Sequence, residues 1–91
     1  MAFIVTRINV GDYDTWKPMF DKDEPGARKR AAGHRVLRGI ENPNEVFVVV
    51  EFASTEDAQN GRDLLVGSGV LDRFADKDLP KVLEEVEAVS Y

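Results

Sequence analysis

A chain of 91 residues, 43% hydrophobic and 32% charged, has material for one soluble domain with a small core and no room for a second. It holds no cysteine and a single histidine, which excludes disulfides, thiolate nucleophiles and zinc sites of the usual cysteine and histidine kind. A net charge of -5 argues against nucleic acid as a partner, and no run of residues approaches the ~18 apolar positions of a membrane span.

The first segment, MAFIVTRINV, is apolar and β-branched from Ala2 to Ile8, the composition of a strand. It has neither the basic leader nor the small-residue cleavage site of a signal peptide, so a cytoplasmic location is expected. Gly11 and Asp12 announce a helix start. Tyr13, Trp16, Phe20, Ala27 and Ala31 then fall on one helical stripe, with Pro18 tolerable near the first turn, a kink or restart at Glu24 to Gly26, and Gly33 as the C-terminal cap. His34 to Glu41 and Glu45 to Ala53 flank Asn-Pro-Asn, a turn composition, and so form a hairpin. Ser54 with Asp57 resembles a capping box that opens a second helix through about Val66, ended by Gly-Ser-Gly. A short helical turn follows from Val70 to Ala75. Beyond it, Leu79, Val82, Leu83, Val86 and Val89 fit a helical stripe, whereas VLEEVEAVSY fits a strand. The preceding order of strand, helix, strand, strand, helix decides for a closing strand from Leu83 to Ser90, because it completes the split βαβ plan.

The fold expected is therefore α+β and ferredoxin-like, a βαββαβ chain with a four-stranded antiparallel sheet and both helices on one face. Its first and third strands are central, and here both are apolar on both sides: Ile4 and Ile8 oppose Phe3 and Val5, while Phe47 and Val49 oppose Val46, Val48, Val50 and Phe52. Leaving half a dozen such side chains in water would forgo roughly 10 kcal/mol at about 1.5 to 3 kcal/mol each, so a second copy packed sheet to sheet is expected to cover them. A three-residue loop, Asn42 to Asn44, sets Ile40 opposite Val46, Val36 opposite Val50 and Arg35 opposite Glu51, where opposite charges meet. This register sends His34, Val36, Arg38 and Ile40 with Val46, Val48, Val50 and Phe52 to the helix side. Arg35, Leu37, Gly39, Phe47, Val49 and Glu51 go to the dimer side.

The segments DYDTWKPMFD, NPNEVFVVVEFAS and SGVLDRF resemble the dimeric α+β barrel proteins that include the antibiotic biosynthesis monooxygenase-like domains. That resemblance implies homodimers whose sheets face each other, with a cavity between each sheet and its helices. The activities it implies are diverse, from cofactor-independent oxygenation of aromatic polyketides to lactone isomerisation, haem degradation and no known reaction. The Asn, Trp and His set of the haem-degrading branch is not recognisable, since Trp16 lies in the first helix and His34 at the start of a strand.

On the residues alone, His34 is the one side chain of a type whose unperturbed pKa lies near neutrality, and Arg38, on the same strand, shares its face. Walled by Tyr13, Trp16 and Phe20 from the helix and by Val50 and Phe52 from the sheet, the two make a candidate catalytic pair for an acidic phenol or enolate, without metal or cofactor. The competing account makes His34 an edge residue and the aromatic stripe ordinary core. The basic cluster around ARKR suits a helix C-terminus, and the carboxylates near Asp21 and Glu84 lack metal-loop spacing and read as solvated surface. Two readings of function remain: a homodimer that holds a small apolar or aromatic ligand without catalysis, and a cofactor-free monooxygenase or isomerase acting on an aromatic or polyketide-like substrate.

Overall fold

A computed structural model describes residues 1–91. The elements are β1 (Ala2–Asn9), α1 (Tyr13–Lys22), β2 (Gly33–Arg38), β3 (Glu45–Phe52), α2 (Thr55–Gly67), a 3-10 turn (Val70–Arg73) and β4 (Lys77–Glu84). The four strands form one antiparallel sheet in the order β2-β3-β1-β4, the ferredoxin-like arrangement with β1 and β3 central. No helix is long and apolar enough to cross a membrane.

Alternation sorts the sheet into two faces. Ala2, Ile4, Thr6 and Ile8 of β1 and Val46, Val48, Val50 and Phe52 of β3 are buried on the helix side. Phe3, Val5, Phe47 and Val49 occupy the opposite face, partly exposed, beside the exposed Leu37 and Leu83. One end of that face carries an ion cluster. Arg7 donates to Asp76, Asp78 and Glu45 at 2.7, 3.0 and 3.1 Å, tying β1 to β3 and β4.

The Ser54 cap is present, its hydroxyl accepting from the Asp57 amide at 3.1 Å, and it opens α2 one residue later. α2 seats directly on the sheet because its inner face is small. Ala58 and Gly61 are both buried there. A Cβ on Gly61 would stand 2.6 Å from the Ala27 carbonyl oxygen and 3.1 Å from the Phe52 ring, so only glycine allows this approach.

Four expectations need correction. First, α1 stops at Lys22 and Gly33 is the first residue of β2, not a helix cap. Asp23 adopts the left-handed conformation at φ 47° and Pro25 follows, which together end the helix; Ala27 and Ala31 reach the core from an irregular segment. Pro18 lies in the second turn, at the cost of one backbone hydrogen bond. Second, β2 ends at Arg38, short of Glu41, and the hairpin loop is longer than three residues. Gly39 donates to the Glu45 carbonyl and packs so closely that a Cβ would lie 2.6 Å from the Asn42 carbonyl oxygen, which leaves Ile40 99% exposed. Third, Val36 pairs with Val48, and Gly33 rather than Arg35 faces Glu51. This is a slip of two residues from the expected register, and an even slip keeps side chains on their expected faces. Fourth, the closing strand runs Lys77–Glu84, upstream of the expected Leu83 to Ser90.

The β1–β4 register shifts between Val5 and Arg7, and the irregularity falls at Leu79 and Pro80 of β4. Pro80 is among the most deeply buried side chains, and its carbonyl accepts from Arg62 Nε of α2 at 2.9 Å. Proline is admitted to this strand because β4 is an edge and because the bulge removes the need for its missing N–H.

Candidate ligand cavity

α1 begins at Asp12, whose carboxylate accepts from the Thr15 hydroxyl at 2.5 Å while its carbonyl accepts the first helical bond from the Trp16 amide. The stripe Tyr13, Trp16 and Phe20 then makes a continuous aromatic wall, with ring centroids 5.8 and 4.9 Å apart. These large side chains hold the helix away from the sheet. No Cα of α1 comes within 8 Å of a Cα in the sheet or in α2.

The gap is not filled. It leaves a partly open cavity of about 100 Å³ whose floor is Ile4, Thr6 and Ile8 of β1 with Val48 and Val50 of β3. Its roof is Trp16, Met19 and Phe20 of α1, and its sides come from Leu65, Leu71, Phe74 and the segment Asp23 to Arg28. A more open, polar depression of about 190 Å³ containing Glu24 and Arg73 adjoins it through Pro25 and Val70.

Of the residues expected in a binding site, Trp16, Phe20 and Val50 line this cavity. Phe52 is fully buried in the core behind it, and Tyr13 stands at the outer end of the aromatic wall. His34 and Arg38 do not line the cavity; both are exposed on the edge strand β2. His34 meets the Phe20 ring edge-on at 5.2 Å, and the Arg38 guanidinium lies 4.9 Å from the centre of the Tyr13 ring. The two candidate catalytic side chains therefore clip α1 from outside, each against its own aromatic ring.

The polar groups that do reach the cavity are Thr6, Asp23 and Arg28. The Arg28 guanidinium lies 3.7 Å from the centre of the Phe20 ring, donates to the Phe20 carbonyl at the end of α1 and pairs with Asp23 at 3.6 Å. Asp23 in turn accepts from the Arg28 amide at 3.1 Å. This closed loop fixes the irregular segment beside the cavity. Sequence reading passed over these three residues for separate reasons. Asp23 and Arg28 sat on a helix that does not extend so far, and Thr6 was one polar residue within an apolar strand. The alternation Ala2, Ile4, Thr6, Ile8 was the available signal, since it puts a hydroxyl on a buried face.

Charge around the cavity is thus internally compensated. Hydrogen bonds from Arg7, reinforced by its charge, hold the Asp76 carboxyl below the usual carboxylate range, and the same contacts with Asp76 and Asp78 raise Arg7 further.

Helix-side cavity, sheet order and open apolar face together invite comparison with solved structures. A candidate antibiotic biosynthesis monooxygenase from Deinococcus radiodurans matches 100% of this chain and 98% of its own, with a TM-score of 0.72 at 9% identity. The fold is ferredoxin-like, and the two chains share it over nearly their whole lengths. A protein from Agrobacterium tumefaciens shares it with a TM-score of 0.60 at 12% identity, over 92% of both chains. At such identities the likeness is one of fold and carries no activity with it. No family profile matches the chain, and neither does any curated protein.

Proposed function

We propose that the protein is a homodimer whose protomers each bind one small apolar or aromatic molecule in the cavity beneath α1. The observation that carries this is the standing-off of α1: three aromatic rings hold it above an apolar floor, where a purely structural helix would close down as α2 does. Natural interiors are packed to crystal-like density, so space of this size kept beside Trp16 and Phe20 suits an occupant. Mass spectrometry of the purified protein under native conditions tests it. A retained small molecule that quenches Trp16, the single tryptophan, on re-addition is the expected result.

The dimer is supported by the second face of the sheet, where Phe3, Val5, Phe47, Val49, Leu37 and Leu83 are partly uncovered. Light scattering at micromolar concentration should return twice the mass of the chain. Val49→Asp should return the monomer or an unfolded chain, because a carboxylate forced into a packed sheet interface costs several kcal/mol. An unchanged dimer in that variant would move the interface to another surface.

A second reading, a cofactor-free monooxygenase or isomerase acting on an aromatic or polyketide-like substrate, is favoured by one contact. His34 touches the outer face of the cavity wall through Phe20, so a shift of that ring would bring an imidazole to the ligand. Oxygen uptake or isomerisation with the retained molecule, abolished in His34→Ala and Arg38→Ala, is the outcome this reading requires.

A further inference from the structure

The cavity floor holds one polar group with no internal partner. Thr6 is 4% exposed, the one polar residue among the buried set, and its hydroxyl makes no hydrogen bond within the chain. No side-chain polar atom of the protein is both sealed from solvent space and unpaired, so the accessible remainder of Thr6 includes its Oγ1. The space it opens onto is the cavity it lines. Around it stand Ile4 and Ile8 along the strand and Val48 across from it on β3, none of which can satisfy a hydroxyl.

A hydroxyl that opens onto an apolar cavity and has no partner within the chain is satisfied only by what enters that cavity, and valine, of nearly its shape, would suit an empty floor better. We propose that Thr6 is the hydrogen-bonding anchor for the occupant of this cavity, and that the occupant is a neutral, one-ring molecule carrying a single hydroxyl or carbonyl group. The proposal rests on the ligand-binding reading above and specifies its chemistry. Size sets the ring count, since an apolar cavity of roughly 150 Å³ takes up benzene and this one is of about 100 Å³ with an open side. Neutrality follows from the charges already present. Arg28 is committed to Asp23 and to the Phe20 carbonyl, so no free charge faces the floor, and an ionised ligand group beside Thr6 would be desolvated without a counter-ion. A hydroxyl both donates and accepts, which admits a phenol or a ketone equally and gives a hydrocarbon nothing.

Trp16 fluorescence titrations with p-cresol and toluene separate the possibilities, run on the wild type, Thr6→Val and Thr6→Ser. Thr6→Val should weaken p-cresol about fivefold while leaving toluene within about twofold, and Thr6→Ser should keep most of the p-cresol affinity. Equal losses for both compounds in Thr6→Val, or an unchanged affinity for p-cresol, would overturn the anchor while leaving a ligand cavity in place. Wild-type protein that bound neither compound would overturn the ligand-binding reading and the anchor with it.

Discussion

The two helices lie over the same sheet and treat it differently. α2 offers Ala58 and Gly61 and comes into direct contact with β1, β3 and β4. α1 offers Tyr13, Trp16 and Phe20, and its backbone stays clear of every strand. Interaxial distance is set by the side chains at the contact, so small residues produce a closed half and large rigid ones a spaced half. The closed half supplies stability and the spaced half supplies volume. A domain of 91 residues has too little core to leave both halves loose.

The comparison breaks most severely at Gly61. Helix propensity alone makes Gly61→Ala favourable by up to ~1 kcal/mol. The new Cβ would meet the Ala27 carbonyl oxygen at 2.6 Å, and a backbone atom cannot swing aside as a side chain can, so overpacking at about 1 to 3 kcal/mol or more decides the sign. Denaturant midpoints should fall for Gly61→Ala and fall further for Gly61→Val. Gly67, at the end of the same helix with nothing within 4 Å of its would-be Cβ, is the matched control. There Gly67→Ala should raise stability by up to ~1 kcal/mol.

In the spaced half the expected effect is small for so large a truncation. A buried tryptophan cut to alanine ordinarily costs about 3 to 5 kcal/mol, but Trp16 already has one side on empty space and forgoes fewer contacts there. Trp16→Ala should lie at or below the low end of that range by chemical unfolding. A loss as large as that of Gly61→Val would show α1 to be as tightly integrated as α2.

The mildest test lies away from both halves, in the ion cluster on the opposite face. The folded Asp76 carboxyl titrates below its unfolded value because Arg7 donates to it. Its contribution is therefore present above the ordinary aspartate range and is lost as pH falls through the depressed folded value. Asp76→Asn should be slightly less stable than the wild type at pH 7, with the gap closing in acid. Urea midpoints at the two pH values measure this. A gap that widened in acid would reverse the assigned direction.

Those contrasts also explain which parts of the architecture could be read from the chain. β1, the Ser54 cap and the parity of the hairpin follow from local patterns of period two or from a single side-chain bond, and each appears where its residues put it. The closing strand did not, because KDLPKVLE carries a proline and four charges while the segment after it carries the cleaner alternation. Its position is settled by pairing with β1 over a bulge, a long-range fact with no local signature. The cavity was half legible for the same reason. Trp16 and Phe20 announce themselves by helical spacing, whereas Asp23 and Arg28 reach the site because a left-handed residue turns the chain back, and Thr6 matters through an absent partner. His34 and Arg38, attractive as a pair on one strand, are parted by where α1 ends its stripe.

The bulge at Pro80 bears finally on how such a protein avoids polymerising. β4 is a sheet edge, and an edge strand with free donors and acceptors is a template on which another chain can add. At Pro80 the donor does not exist and the carbonyl already accepts from Arg62, so this residue offers little to an incoming ladder. Fibre-like growth along the hydrogen-bonding direction is thereby discouraged on this side of the sheet.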